Sequence, residues 1–348
     1  MTNAFRIDPI TAYKLRWKRR GLLWRSYKSR KDLRPIADRT RQISDDDILC
    51  FSVVRDEISR LPYWLNYNRA LGVQHFLIVD NDSTDGTTQY LSDQKDVSLW
   101  TTNASYREAR FGLDWSSYLQ MRYGAGHWCL VLDADELFVY PFHDTHNLVA
   151  LTKAMKSQNQ RALGCLMIDM YAKAGIGQGK YKPGTNPLEL LCGFDTGPYR
   201  AVRQMPRHNL WVQGGVRERT FFADNPKQSP TLNKIPLVYW RRKFAYTNST
   251  HAALPPRLNL EYDGPLESKR ITGALLHTKF LPEIVARSKI EKQRGQHFHS
   301  PSKFDAYYDA IQNKPNVWSE RSVEYNGWQQ LVELGLINCG GWSADSPL

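Results

Sequence analysis

The chain has 348 residues, 41% of them hydrophobic and 11 of them Trp, so it can bury a sizeable core. No apolar run approaches the roughly 18–20 residues that cross a bilayer, and the first residues lack the apolar stretch of a secretory leader. Five cysteines are scattered without the short paired spacing of a zinc site. We therefore expect a cytoplasmic protein, free or peripheral on the inner face of the plasma membrane.

The net charge of +12 is concentrated near the N-terminus. Residues 11–42 contain twelve Lys or Arg and two Asp, so the rest of the chain is nearly balanced. Aromatic residues such as Trp17 and Trp24 lie among these charges. We interpret residues 1–43 as a basic amphipathic arm, which fits an anionic membrane surface through residues 11–42. The alternatives are a helix packed on the domain by its Trp residues and, less expected, a nucleic-acid contact.

From residue 47 the pattern alternates between strands and helices. Continuous apolar runs and short β-rich segments predict strands at 48–54, 73–79, 98–102 and 128–132. One helix is predicted to end at Gly72 and another covers residues 114–123. Repeated strand–helix–strand units predict an α/β fold with a mostly parallel sheet, which binds ligands at the carboxyl ends of its strands.

After about residue 160 the pattern is less regular. Strands are predicted at 164–171 and 235–240, and a Gly-, Pro- and Arg-rich region lies between them. No stretch after residue 44 has the composition of a linker. We therefore expect residues 44–348 to form one domain with two halves, 44–160 and 161–348.

The sequence contains three Asp-x-Asp triplets, which differ in their context. Asp45-Asp46-Asp47 precedes a strand and is predicted to be a solvated turn. Asp80-Asn81-Asp82 belongs to the loop after the second strand, and Asp133-Ala134-Asp135 follows a buried strand. Carboxylates at such a strand end are costly to desolvate unless a cation or hydrogen-bond donors compensate. Mg²⁺ or Mn²⁺ prefers such oxygen ligands and is commonly completed by substrate phosphates. Helix capping by Asp133 or Asp135 is the alternative interpretation.

Two further motifs occur in a fixed order before this element. Arg55-Asp56-Glu57 directly follows the first strand, and Val79-Asp-Asn-Asp-Ser-Thr-Asp-Gly-Thr87 follows the second. Together with Asp133-Ala-Asp-Glu136, residues 46–142 resemble family 2-type glycosyltransferases, in the bacterial branch related to family 92. The chain departs from the commonest pattern at Asp80-Asn81, where two consecutive aspartates are usual.

This resemblance implies a GT-A (Rossmann-like) fold, a nucleoside-diphosphate sugar donor and a divalent metal, Mn²⁺ or Mg²⁺. It implies that Asp135 ligates the metal and that Asp133 faces the ribose or the metal shell. The nucleotide pocket is implied to be lined by Arg55, Glu57, Asp80 and Asn81, with Asp80 on the base or ribose. A turn and helix cap made by Asp80 and Ser83 is the alternative that needs no ligand.

The second half, residues 161–348, offers fewer signals. His277 follows an apolar run and is the favoured third metal ligand, with His251 as the alternative, and Lys279 is a candidate phosphate partner. We expect an inverting transfer, in which a carboxylate takes the proton of the acceptor hydroxyl. Glu218 and Asp195 are the candidates for this base, although Glu218 could instead be an ion-pair partner of the neighbouring arginines.

The sequence thus predicts a metal-dependent glycosyltransferase that moves a sugar to a glycan or lipid-linked acceptor in cell-surface polysaccharide synthesis. Residues 44–160 are expected to bind the nucleotide sugar and residues 161–348 the acceptor. A sugar nucleotidyltransferase is the first rival, but it usually has a Gly-rich loop where this chain has Arg55-Asp56-Glu57. A nucleic-acid-binding protein that uses the basic arm is the second rival.

Overall fold

A computed structural model describes residues 7–266, 268–294, 307, 309–343 and 345. The strands are β1 (Arg34–Ala37), β2 (Leu49–Val54), β3 (His75–Asp80), β4 (Val97–Thr101), β5 (Trp128–Val131), β6 (Glu136–Val139), β7 (Ala162–Asp169), β8 (Gly193–Asp195), β9 (Tyr199–Gln204), β10 (Asn209–Gly214), β11 (Asn233–Tyr239), β12 (Ala245–Tyr246), β13 (Ala253–Leu254), β14 (Gly273–His277) and β15 (Ser322–Glu324). The helices with described bounds are α1 (Pro9–Ser29), α2 (Leu61–Leu71), α3 (Thr87–Ser92), α4 (Leu113–Tyr123), α5 (Leu148–Ser157), α6 (Gly215–Phe221), α7 (Ile284–Arg294) and α8 (Trp328–Glu333).

A central sheet organises the described part of the chain, with the strand order β1-β4-β3-β2-β5-β11-β7-β14-β6. The strands β4, β3, β2, β5, β7 and β14 run in one direction, and β1, β11 and β6 run in the other. The sheet is therefore mostly parallel, as the sequence predicts, and the α/β class is confirmed. Short pairs β9–β10, β12–β13 and β8–β15 lie outside it.

Burial on both faces explains why the central strands are continuous apolar runs. Every residue of β3 is buried, and so is every residue of β2 except Val53. Alternate residues point to opposite faces of a strand, so Cys50 packs into one core and Phe51 into the other. Trp64 of α2 covers the first face and Trp115 of α4 covers the second.

The helix α2 shows how local sequence sets an element boundary. It ends at Gly72, which adopts a left-handed conformation (φ 101°) and donates its N–H to the carbonyls of Asn68 and Arg69. A glycine reaches this conformation without the steric cost that a Cβ brings. The predicted helix end at Gly72 is confirmed, and the chain turns there toward β3.

The strand order indicates a ligand site at the carboxyl ends of β2 and β5. From β2 the chain proceeds to β3 and β4 on one side, and it then crosses through α4 to β5 on the other side of β2. Such a reversal is a topological switch point, and ligands bind outside the carboxyl ends of the strands there. Arg55 follows β2 and Asp133 follows β5, so both lie at this point.

The predicted arm is part of the packed structure. Residues of β1 pair with β4 at the edge of the sheet, and α1 packs on α4, where Arg25 Nε lies 2.6 Å from Asp114 Oδ2. Trp17 and Trp24 are 51% and 58% exposed, so the interpretation that the helix packs through its Trp residues is wrong. Leu15 and Ser26 are buried instead. No helix in the described residues is long and apolar enough to cross a membrane.

Candidate functional site

The two strand ends at the switch point are bonded to each other. Ser52 Oγ donates to the carbonyl of Leu132 at 2.8 Å, and the Leu132 N–H donates to Phe51 O at 3.2 Å. These bonds align the end of β2 with the end of β5. Because the acidic element begins at the next residue, Asp133 and Arg55 project from the same edge of the sheet.

The loop after β3 is held together by the residues that the sequence assigns to the nucleotide. Asp80 is fully buried, and its carboxylate accepts hydrogen bonds from the Ser83 N–H, the Ser83 hydroxyl and the Thr88 hydroxyl. Asn81 Nδ2 donates to the carbonyls of Thr102 and Ala104 at 3.0 and 3.1 Å. The structure thus shows Asp80 closing the turn after β3, whereas α3 begins after Gly86 without a side-chain cap, so the helix-cap part of the alternative is wrong. Both side chains shape the loop.

The polar cluster after β2 lies against this loop. Arg55 Nη1 donates to Asn81 O at 3.0 Å. Glu57 accepts from Arg60 at 2.9 Å and from Arg287 of α7 at 2.5 Å. Both carboxylate oxygens of Glu57 are therefore bonded to guanidinium groups, whereas the side chains of Arg55 and Asp56 are partly exposed. The cluster joins β2, the loop after β3 and α7 into one rim.

The acidic element contains a buried ion-pair network that includes an unpredicted lysine. Lys234 Nζ of β11 lies 2.7 Å from Asp133 Oδ2 and also donates to Glu136. The Lys234 and Glu136 side chains are 6% and 0% exposed, whereas that of Asp133 is 59% exposed. Burial raises the pKa of Glu136 to about 7 against the opposing charge of Lys234. Burial alone lowers the pKa of Lys234, but Asp133 and Glu136 outweigh it and keep the ammonium charged.

Asp135 stands at the end of a second row of charged side chains. Its Oδ2 lies 3.2 Å from His277 Nε2, and His277 Nδ1 lies 2.6 Å from Asp169 Oδ1. Arg217 Nε donates to the other Asp169 oxygen at 2.6 Å. Asp169 and His277 end the parallel strands β7 and β14 and are register partners. These charged side chains thus come from the carboxyl ends of three strands, because Asp135 follows β5.

The neighbouring charges in this row of side chains set the pKa of each member. Burial alone raises the pKa of Asp135, but His277 and the nearby Arg60 hold that pKa well below its usual range. Burial likewise raises the pKa of Asp169, and Arg217 and His277 lower it. For His277 burial lowers the pKa, and the two flanking carboxylates raise it above its ordinary value. Asp135 and Asp169 are therefore both anionic at neutral pH.

This arrangement fits a divalent cation held partly by protein. Asp135 Oδ2 and His277 Nε2 lie 3.2 Å apart, so both atoms can face one ion once Nε2 releases the proton that the two carboxylates stabilise. Metal-bound histidines usually donate the other ring N–H to a carboxylate, and Asp169 is placed to accept it. Among the described residues no group of three or more His, Cys, Asp or Glu forms a ready-made metal site. A cation held by Asp135 and His277 would need further oxygen ligands, which substrates commonly supply to Mg²⁺.

A cleft of about 470 Å³ lies beside the acidic element, and its lining includes Asp133, His277, Lys279, Arg217, Trp211 and His251. Arg217 is buried, and its Nη2 has no hydrogen-bond partner among the described residues. A buried guanidinium nitrogen without a partner is costly, so its place in the wall of a cleft indicates an anionic ligand. Trp211 adds an aromatic surface to the same wall.

The alternative metal ligand His251 has a different environment from His277. Its Nδ1 donates to the Asn233 carbonyl at 2.5 Å, because a carbonyl oxygen can only accept. Burial, reinforced by Lys234, lowers the pKa of His251 to about 4. His251 is therefore neutral at pH 7, with the lone pair on Nε2, and it lines the cleft without joining Asp135 and His277.

The two candidate bases lie outside the set of residues that line the cleft. Glu218 forms a two-bond ion pair with Arg200, at 2.6 and 2.7 Å, and accepts from Ser229. Asp195 accepts two bonds from Arg219, at 2.7 and 2.9 Å, and one from Tyr171. Both carboxylates hold the second half of the chain together, so Glu218 is an ion-pair partner, but of Arg200 and not of the neighbouring arginines.

Sequence reasoning missed Lys234, Asp169 and the pairing of Arg217. A single lysine in the apolar run of β11 is a signal, because Lys is almost never fully buried unless paired. Asp169 ends the apolar strand β7, so the rule that singled out Asp80 and Asp133 also applies to it.

A scan against models of known protein families finds no match for this chain, and a search of curated proteins finds none either.

Proposed function

We propose that this protein is a metal-dependent glycosyltransferase of the GT-A fold, which moves a sugar from a nucleoside-diphosphate sugar to a glycan or lipid-linked acceptor. The observation that carries the proposal is the pair Asp135–His277, backed by Asp169, at the carboxyl edge of a mostly parallel sheet. The topological switch point between β2 and β5 supports it, because nucleotides bind at such points.

In this proposal Asp135 and His277 hold Mn²⁺ or Mg²⁺ together with oxygens of the donor. The metal, when bound, supplies Lewis-acid stabilisation of the leaving diphosphate, worth several kcal/mol. Asp169 orients the His277 ring through Nδ1. Lys234 neutralises Asp133 and Glu136, which keeps the negative charge of the acidic element low beside an anionic substrate.

The cleft contributes a positive wall for the phosphates. Arg217 presents the partnerless Nη2, and Lys279 lies in the same wall. Preorganised donors aimed at developing charge are a large source of catalysis, because they need no reorganisation during the reaction. We assign Arg217 and Lys279 to the leaving diphosphate and the Trp211 side of the cleft to the acceptor.

The reaction breaks the bond between the anomeric carbon and the diphosphate oxygen and forms a bond to an acceptor hydroxyl oxygen, whose proton must be accepted. Glu218 and Asp195 were expected to take it, but both are held by arginines. Among the residues that line the cleft, neutral His251 is the proton acceptor of this proposal, because Asp133 is itself held by Lys234.

The experiment is a thermal-shift screen of nucleoside-diphosphate sugars with and without Mn²⁺. A ligand at about 100 times its Kd stabilises the native state by about 2.7 kcal/mol, so a matching donor raises Tm only when the metal is present. Asp135→Asn should remove this shift. Asp46→Asn is the matched control, because Asp46 belongs to another Asp-x-Asp triplet and is exposed. A flat response to all donors contradicts the proposal.

A further inference from the structure

The outer face of α1 carries a row of exposed aromatic and aliphatic side chains. Five large hydrophobic residues lie on this helix with exposures between 40% and 68%, namely Ile10, Tyr13, Trp17, Trp24 and Tyr27. We call them the outer stripe. Their spacing of three, four, seven and three residues places them on one side of the helix, over about 25 Å at 1.5 Å per residue. Half of the exposed large hydrophobics found in the described residues belong to this single helix.

The inner face of α1 explains why the stripe points outward. Leu15 and Ser26 are buried on the opposite side. Asp114 of α4 receives Arg25 Nε at 2.6 Å and the Ser26 hydroxyl at 3.4 Å. A buried carboxylate with these partners fixes the rotation of α1 about its axis. The stripe is therefore held away from the domain by specific contacts.

Positive charge surrounds the stripe. The helix contains seven Lys or Arg and no acidic residue. Arg20 lies over the Trp17 ring at 5.1 Å, Lys28 over the Trp24 ring at 5.4 Å and Arg30 over the Tyr27 ring at 3.8 Å. Cations beside exposed indole and phenol rings match the interface of an anionic bilayer, where aromatic rings sit at headgroup depth and cations meet the phosphates.

We propose that the outer stripe of α1 docks the protein on an anionic lipid bilayer with the helix axis parallel to the membrane plane. A bilayer fits better than RNA because the stripe is straight and includes the aliphatic Ile10, which gains from burial in acyl chains and offers no stacking face to a base. The structure carries this inference independently of any activity of the cleft.

The docked orientation also bears on the acceptor, and this second step rests on the proposed function. Asp114, which anchors α1, also binds Arg110 at 2.8 Å, and Arg110 lines the cleft. Arg110 Nη1 donates to Tyr246 of β12, an element that α1 contacts. The cleft and the docking helix thus both contact Asp114 through arginine side chains, and on the proposed function this connection favours a lipid-borne acceptor.

The experiment is vesicle flotation of the full-length protein. Vesicles of phosphatidylcholine are compared with vesicles that contain phosphatidylglycerol and phosphatidylcholine in about a 1:2 ratio. The protein is expected to float at least about tenfold more strongly with the anionic vesicles, and less so as salt rises. Brominated acyl chains should quench part of its tryptophan fluorescence, since Trp17 and Trp24 enter the interface.

Two double variants distinguish binding through the outer stripe from nonspecific hydrophobic adsorption. Trp17→Ser with Trp24→Ser should lose flotation at least about tenfold, together with the bromine quenching. Val202→Ser with Met205→Ser, which removes two apolar side chains elsewhere that are more exposed than Trp17 and Trp24, should float like the parent. All four positions are exposed, so Tm should be unchanged. Equal flotation of the two double variants, or no preference for anionic vesicles, overturns the proposal.

Two further measurements fix the identity of the partner and its independence from the cleft. Tight binding of single-stranded polyuridylate without flotation assigns the stripe to RNA and also overturns the proposal. Asp135→Asn should float like the parent, because Asp135 lies at the carboxyl edge of the sheet, outside α1 and outside the elements α4 and β12 on which α1 packs. In the parent protein, an absence of metal-dependent donor binding together with normal flotation contradicts only the proposed function, and donor binding without flotation contradicts only the docking.

Discussion

The buried pair Lys234–Glu136 allows a quantitative test of the site's architecture. Replacing Lys234 by Met removes the only basic side chain that the described contacts give to Glu136, whose side chain is fully buried. Breaking a buried pair by removing one partner costs about 3–5 kcal/mol, because Glu136 must then stay charged without a partner or take up a proton inside the core. Lys234→Met should therefore lower the free energy of unfolding by about that amount. Lys95→Met, at an exposed position, should stay within about 0.5 kcal/mol.

Urea denaturation followed by circular dichroism measures both values. The double variant Lys234→Met with Glu136→Gln supplies the decisive comparison, because it removes the buried charge along with its partner. We expect the double variant to recover at least half of the loss, so that the two substitutions are strongly coupled. A loss below about 1 kcal/mol for Lys234→Met, or no recovery in the double variant, refutes the buried network.

Three further predictions follow from the same geometry. Asp169→Asn should weaken Mn²⁺ binding about 10–100-fold in a calorimetric titration, because it loses the carboxylate behind His277; unchanged affinity contradicts that role. Glu218→Gln should lower the free energy of unfolding by about 1–3 kcal/mol and leave donor turnover within a few-fold, whereas a large turnover loss in a stable variant restores Glu218 as the base. The pKa of His251 is lowered to about 4, so the unfolded chain binds more protons between about pH 6.5 and 4 and stability falls as pH drops through this window. In His251→Gln this part of the fall should be absent from urea midpoints measured across that pH range.

The sequence predicted the first half of the fold because the signals there are local. Continuous apolar runs mark β2 and β3, and the stop at Gly72 follows from the conformational freedom of glycine. The strand β6 was missed, since Glu136–Val139 directly follows the acidic element and has no turn signal before it. The direction of β11 was also beyond local reasoning, because antiparallel pairing depends on neighbours that are distant in sequence.

The site could be predicted only where one strand end suffices. Asp133, Asp135 and His277 were singled out because each follows an apolar strand, and the structure brings Asp135 and His277 together. The link from His277 to Asp169 depends on the parallel pairing of β7 and β14, which more than a hundred residues separate. The outward direction of Trp17 and Trp24 likewise depends on contacts between α1 and α4 that the composition of the helix does not reveal.

The central claim is that Asp135 and His277 hold a metal that acts on a nucleotide-sugar donor. The most direct test is metal-dependent hydrolysis of the donor that the thermal-shift screen identifies, measured for the parent protein, Asp135→Asn and Asp46→Asn. The account predicts that Asp135→Asn keeps its fold and loses at least about a hundredfold in rate, while Asp46→Asn matches the parent. Full Mn²⁺-dependent hydrolysis by Asp135→Asn contradicts the account.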